Sequence, residues 1–383
     1  MTNVINIRNF VDVSTSVVQT SANVARDWGA ALFVQKGTNG QTTALTQYDD
    51  LEAVVNGAGS NSEAAKFATQ FYGTTYNGIA PTSSFWVAII GAEDVDEFNT
   101  NFTALMASED YYLIGVDTNF TTDAKKSAAA IVQATQANAT HKLFLDDASA
   151  EAANLDLEHD TASISAYCKN NGYTATFAIW VNPTNTVKYY SAAAASFFST
   201  RQFNTTDRKM ASIAHKAAQG ISPVDLTDTN VTVSPSQAFA NLDEKHTNLY
   251  ANIKIVGLPA WERGNVGSGD DLSDYISADY LNYVVTMSVF NLLQTTPRVP
   301  MNNDGAVMLA GAIETGFVRL SNAGVIAGGV SLDGESFPQT GYKISIPIPT
   351  GIAKANGLWE DIDCRALLAG SAKKVVIGNT LKK

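Results

Sequence analysis

Between residues 28 and 200 short apolar runs alternate with helical stretches, and that order leaves few folds open. The runs Ala31–Gln35, Phe85–Ile90, Tyr111–Val116, Lys142–Leu145 and Thr176–Val181 have the length of strands. Between them Ser62–Phe71, Asp94–Ala107, Thr122–Ala137 and Thr161–Asn170 read as helices. Their ends carry stop and start signals. Asp94 stands three residues before Glu97, Thr121 and Thr122 open an Ala-rich run, and Asn171-Gly172 closes the last one. Short apolar strands joined by helices predict a mostly parallel, doubly wound α/β sheet.

After residue 206 the order changes. A helix is expected over Asp207–Gln219, stopped by Gly220, and a strand-like run over Ala251–Val256. Two long helices follow, Ala278–Gln294 and Ala306–Asn322, separated by Pro297 and Pro300. Tyr342–Ile348 reads as a strand with Ile344, Ile346 and Ile348 on one face, and Val375–Ile377 as a short one between Lys373-Lys374 and Gly378. This half is α+β. At the other end, residues 3–13 alternate with period two. Ile5, Ile7, Val11 and Val13 fall on one side, with Asn9 the exception, and a Ser/Thr-rich joint follows. A chain of 383 residues is long enough for two or three domains. The expected division is an N-terminal strand segment (1–20), an α/β domain (21–206), an α+β domain (207–370) and a C-terminal segment (371–383).

Composition excludes several functions. Charged residues are only 16% of the chain, so its surface is rich in Thr, Asn, Ser and Gln and suited to packing against copies of itself. The net charge of −12 disfavours a phosphate backbone as partner, and Lys125-Lys126, Lys373-Lys374 and Lys382-Lys383 are isolated pairs. Cys168 and Cys364 are too few for a disulfide scaffold or a Cys-rich zinc site. The first residues lack the charged start and apolar block of a signal peptide, and Tyr280–Leu293 is too short and interrupted to span a bilayer.

Chemistry-bearing patterns are sparse. His141, His159, His215 and His246 form no metal-ligand spacing. Gly264–Gly269 lacks the Lys-Ser/Thr of a phosphate loop and is followed by Asp270 and Asp271, so it is expected to be a flexible surface loop. Asn56–Ser60 follows a helix and reads as a helix-ending turn. Asp146 and Asp147, at a strand end, are the one carboxylate pair placed where an α/β enzyme would hold a metal. Neither a catalytic residue nor a cofactor or metal is expected.

A resemblance emerges from the second half. Pro235-Ser236-Gln237, Leu242 and Lys245-His246-Thr247-Asn248-Leu249-Tyr250 are followed by Arg263-Gly264, Gly267-Ser268-Gly269 and Asp274-Tyr275-Ile276. Then come the long helix, Val299-Pro300, Asn303-Asp304-Gly305 and Gly324. This ordered series resembles the tail sheath proteins of contractile-tailed bacteriophages and related injection particles, best over residues 208–350.

The resemblance implies a structural subunit and no enzyme. Such subunits stack as six-membered rings around a tail tube, and the sleeve contracts to drive the tube through the host envelope. It further implies tube, baseplate and tail terminator proteins as partners, neither direct nucleic-acid contact nor membrane insertion, and a place in the virion after assembly in the host cytoplasm. The α/β domain would face outward and the α+β domain the tube. The resemblance also implies that residues 1–20 and 371–383 are arms that add strands to neighbouring subunits, through Val4, Ile5, Ile7, Phe10, Val11 and Val13 at one end and Val375, Val376 and Ile377 at the other. Glu314 and Arg319 are the tube-facing candidates. Four apolar side chains per N-terminal arm could gain about 6–12 kcal/mol gross, against an association cost of about 4–15 kcal/mol. One arm is then marginal, and two per subunit lock. A tube or baseplate subunit, and an α/β hydrolase or nucleotide-binding enzyme, are the competing readings.

Overall fold

The computed structural model describes residues 26–38, 44–91, 94–108, 110–136, 140–184, 189–201, 203, 209–253 and 258–369. Both arms, with the contact residues expected on them, lie outside the described residues.

The first half holds β1 (Ala31–Lys36), β2 (Ala44–Tyr48), α1 (Leu51–Ala58), α2 (Glu63–Gly73), β3 (Phe85–Ile90) and α3 (Val95–Leu105). It continues with β4 (Leu113–Val116), α4 (Thr122–Thr135), β5 (Lys142–Asp147), α5 (Ala150–Asn154), α6 (Ile164–Asn170), β6 (Thr176–Trp180) and α7 (Tyr190–Ser199). The strands form one sheet in the order β2-β3-β1-β4-β5-β6, parallel except for β2. Both faces are covered, because alternate residues of each buried strand point to opposite sides. Ala31 and Phe33 meet Phe67, Phe71 and the helix α7, while Leu32 and Val34 meet Phe98, Phe102 and the alanines of α4. Gly115 in β4 has no side chain because a Cβ there would lie 2.3 Å from the Phe67 ring. The expected doubly wound sheet is therefore present.

The second half begins with α8 (Pro235–Glu244), β7 (Tyr250–Ile253) and β8 (Leu258–Trp261). There follow α9 (Leu272–Thr295), α10 (Asn303–Asn322), β9 (Gly329–Val330), β10 (Ser336–Phe337), β11 (Tyr342–Ser345), α11 (Gly351–Ala355) and β12 (Asp363–Ala366). The long helices α9 and α10 match expectation. No helix among the described residues is long and apolar enough to cross a membrane.

Three sequence expectations need correction. Lys209–Gln219 is not helical. Its backbone is drawn into cross-links: His215 N donates to Trp261 O (2.7 Å), Trp261 N to Lys216 O (3.1 Å) and Gln219 N to Thr75 O (2.9 Å). These tertiary pairings override the local helical pattern. The strand at Tyr342 stops at Ser345, since Pro347 and Pro349 cannot donate to a ladder. Gly264–Gly269 is packed, not a free surface loop. Asn265 and Val266 are buried, and a Cβ on Gly267 would sit 2.4 Å from Cys168 O.

Candidate assembly interface

The Lys-x-x-Asn-x-Tyr segment turns out to be a fastening. Lys245 is fully buried, and its ammonium donates to the carbonyls of Ala152 (2.9 Å) and Leu155 (2.7 Å) and to Asp160 Oδ2 (2.6 Å). Buried Asn248 extends the sheet past β6. Its N–H reaches Ala178 O and its C=O accepts from Trp180 N, both at 3.0 Å, while its amide donates to Asn265 O (2.7 Å). Tyr250 donates from its hydroxyl to Ala218 O (2.8 Å). The motif thus joins the stretch 209–271 to the edge of the α/β sheet. Lys245, Asn248 and Tyr250 are buried and hydrogen-bonded, which favours one docking, while the buried Thr247 hydroxyl has no hydrogen-bond partner among the described residues.

Helix α9 is seated on the same sheet from its other end. Lys142, at the start of β5, pairs with Asp279 (2.8 Å), and Tyr112 donates to the same carboxylate (2.7 Å). Around this buried pair Trp28 meets Tyr112, Tyr280 and Tyr283 edge-on, and Phe203 stacks on Tyr280 with ring centroids 3.8 Å apart. The later turns of α9 pack along α10. Gly316 lets the two approach, with the site of its missing Cβ 3.0 Å from Val285.

Beyond the helices lies the surface most suited to assembly. β11 and β12 form a two-stranded antiparallel sheet. Among the described residues neither strand has a second partner, so both outer edges present unpaired backbone groups. Two strands alone are marginal in water. This pair is held by its inner face, where Tyr342, Ile344, Cys364 and Ala366 pack on the core. The outer face is charged: Glu335 bridges Lys343 (2.9 Å) and Arg365 (3.3 Å), and Arg365 also pairs with Asp363 (2.9 Å). Tyr342 donates to Glu314 (2.7 Å), and burial, then that carboxylate, pushes its hydroxyl up to about 12.

Of the twelve large apolar side chains exposed among the described residues, nine fall between residues 293 and 368. Val307 is 65% exposed, Ile352 80%, and Leu332 stands free at the tip of the β9–β10 hairpin. Their gathering on this part of the chain makes it the candidate interaction surface. Periodicity did not single these residues out, since an exposed leucine in a loop has no pattern in sequence. Glu314 and Arg319 are both exposed on α10. At about 100° per residue they lie at the two borders of its outer face, with Val307, Gly311, Thr315 and Val318 between them.

The sheet also has the feature an enzyme of this class would use. Strand order reverses at β1, and a crevice there is lined by Lys36, Asn61, Ser62, Glu63, Asp117 and Asn119. Its polar groups already serve the chain. Asp117 accepts from Lys36 N (3.0 Å) and Asn119 N (2.8 Å), and Gln35 caps α2 by accepting from Ala64 N (2.9 Å). Asp146 accepts from Ser191 N (2.9 Å) and Ser191 Oγ (2.5 Å), and Asp147 from Ser165 N (2.9 Å) and Ser165 Oγ (2.7 Å). Burial raises Asp146 to about 6, with the Ser191 donors opposing it. The pair thus tethers α7 and α6 to β5, and no group of three metal-ligating residues occurs among the described residues.

The comparisons agree with this geometry. The chain has the fold found in contractile injection particles. A chain of the anti-feeding prophage baseplate, solved by cryo-EM with six-fold symmetry, aligns with 97% of this chain and 100% of its own length, at TM-score 0.61 and 15% identity. A chain of the contracted PVC sheath complex, an extracellular contractile injection system, covers 94% of this chain and 93% of its own at TM-score 0.60 and 11% identity. No curated protein sequence matches. Residues 272–380 match the family described as E217 tail sheath protein gp31-like, C-terminal domain. This match bears out the expected resemblance to tail sheath proteins.

Proposed function

We propose that the chain is the polymerising subunit of a contractile tail sheath, stacking as six-membered rings around a tail tube and contracting to drive the tube through a host envelope. The observation that carries this reading is the two-stranded sheet β11–β12, whose strands have no further partner among the described residues, inside the region that matches the sheath family. Strand addition at an open edge gives affinity from backbone hydrogen bonds and register from alternate side chains. Residues 1–20 and 371–383 supply the strands, through Val4, Ile5, Ile7, Phe10, Val11 and Val13 and through Val375, Val376 and Ile377. The α/β sheet faces outward, and α10 faces the tube with Glu314 and Arg319 at its borders. Residues 209–271 travel with the outward unit, because Lys245, Asn248 and Tyr250 fasten them to it. The tube-side unit, expected from the sequence at 207, therefore begins within α9, past the turns that Asp279 and Tyr280 fasten to the sheet. No nucleotide enters the scheme: the extended sleeve is a metastable packing and the contracted one is lower in free energy.

Two deletions test this, residues 1–20 and residues 371–383. Each should leave a monomer that melts like the full chain yet forms no striated sleeve by negative-stain microscopy in the presence of tail tubes. Normal sleeves from either deletion would remove that arm's role. A baseplate subunit is the second reading, favoured by the baseplate origin of one similar structure. It predicts discrete rings and never sleeves.

A further inference from the structure

The Gly264–Gly269 segment is pinned to the α/β unit through one histidine. His246 stands in the left-handed region (φ 56°) just past α8, and its ring reaches two elements at once. Lys169, near the end of α6, donates from Nζ to Nε2 (3.0 Å), and Nδ1 donates to Gly267 O (3.0 Å). An ammonium only donates and a carbonyl only accepts, so the ring is neutral with its proton on Nδ1. The fit is close: a Cβ on Gly269 would lie 2.5 Å from His246 Cε1. Ser268 N donates across the same seam to Tyr173 O (3.0 Å). Leu272 N, at the first residue of α9, donates to Gly264 O (2.9 Å), so the pinned segment is what leads into that helix.

The charges around the ring offer a further proton little support. Lys169 faces it from α6 and Arg263 from just after β8, while Asp243 of α8 already pairs with Arg263. Residues 264–269 carry no charge, and Asp270 accepts from the Ser268 and Tyr275 hydroxyls. Burial first, then Lys169 and Arg263, hold the imidazole below its ordinary range against the Gly267 carbonyl and Asp243. We propose that His246 is a proton-sensitive latch: a proton on Nε2 breaks its bond with Lys169, sets two cations against each other and loosens residues 264–269 from α6, so that the seat of α9 softens in acid. The closed seam favours the neutral ring. The latch is therefore whole above the open-state value of about 6.5 and weakens as the pH falls below it. One unit lower, opening gains at most about tenfold.

Hydrogen exchange of the full chain, followed by mass spectrometry at pH 7.5 and 5.5 and corrected for the intrinsic rate, reads this at Ser268 and its neighbours. Between the two pH values, protection over residues 264–272 should fall at least about threefold more in the native chain than in His246→Asn, which suits the left-handed backbone and does not titrate. The buried His141 is present in both chains and cancels. Lys169→Met should shrink the fall, since His246 then takes a proton without meeting the ammonium. A difference under about threefold, or a fall in Lys169→Met as large as in the native chain, overturns the proposal. Histidine ring-carbon NMR of the native and Lys169→Met chains gives a second reading that does not depend on how His246→Asn folds. The His246 midpoint should lie below about 6.5 and rise in Lys169→Met. A midpoint at or above that value, or one that Lys169→Met leaves in place, overturns the proposal as well.

Discussion

The buried pair Lys245–Asp160 separates a folding role from an assembly role for the best-matching motif. Both side chains are fully buried, 2.6 Å apart. Lys245→Met keeps the aliphatic stem but removes the cation, leaving Asp160 charged in the interior and the Ala152 and Leu155 carbonyls without this donor. Breaking such a pair costs about 3–5 kcal/mol. Unfolding entropy of about 2.1 cal/mol/K per residue over 383 residues is about 0.8 kcal/mol/K, so the melting temperature should fall by about 4–6 °C. The pH dependence has a definite sign. Burial alone would raise Asp160, but hydrogen bonds from Lys245 and Ser163 outweigh it and hold the carboxyl below the ordinary range. Its contribution is complete above about pH 3.9 and is lost as the pH falls through the lower folded value. Without Lys245 the folded pKa rises, and the variant instead gains stability as acid protonates Asp160. The gap between the two proteins should therefore narrow from pH 7 toward pH 4. Calorimetry or thermal circular dichroism at both pH values reads this out. A loss under about 1 °C at pH 7, or a gap that widens in acid, would falsify the buried-pair account. Below its melting temperature the variant should still assemble, because the pair touches no open edge.

Asp146→Asn should flatten a stability decline between about pH 4 and 6. The raised folded value near 6 means stability falls as pH rises through that window; denaturant unfolding at pH 4.5 and 7 checks it, and an unchanged slope would refute it. Gly267→Ala should cost about 1–3 kcal/mol by thermal melt, because its Cβ meets backbone at Cys168 O; a neutral effect would return this loop to the flexible reading. Ile352→Asp and Leu332→Asp should each change stability by less than about 0.5 kcal/mol while lowering sleeve yield. Unchanged yield from both would take these side chains out of the assembly surface.

The fold was legible where burial is regular. β3 was placed to the residue, and β1, β4, β5 and β6 to within two, because strands covered on both faces are unbroken apolar runs. α7 was missed for the opposite reason. Every one of its residues is buried, so Tyr190–Ser199 has no polar face to set a helical period. β2 escaped because it is an exposed edge strand with little apolar content. The false helix at 207–219 shows the limit of local pattern, since its fate was settled by Trp261 and Thr75, far away in sequence. The sheath resemblance was legible only through the ordered motifs. Those motifs, once placed, are mostly interior: Lys245, Asn248 and Tyr250 hold the chain together. Exposed apolar residues such as Leu332 and Ile352 carry no spacing that a single sequence could reveal.

The crevice at β1 shows why the same fold need not be an enzyme. Its place is where doubly wound sheets bind ligands, and it holds carboxylates, a lysine and a helix N-terminus. Each is engaged by the chain itself. Asp117 is held by two backbone amides, the start of α2 by Gln35 and Ser62, and Glu63 by the Tyr189 hydroxyl (2.6 Å) and Lys66 (2.6 Å). A ligand would have to displace these bonds before gaining any of its own. Polar groups spent in this way stiffen the α/β unit. Under the proposed function, that stiffness would direct motion to the contacts between subunits. Charge follows the same division. Residues 1–271 hold 28 acidic and 16 basic side chains, while residues 272–383 hold nine of each. Under the proposed function, contacts between copies made through residues 272–383 would carry no net charge penalty.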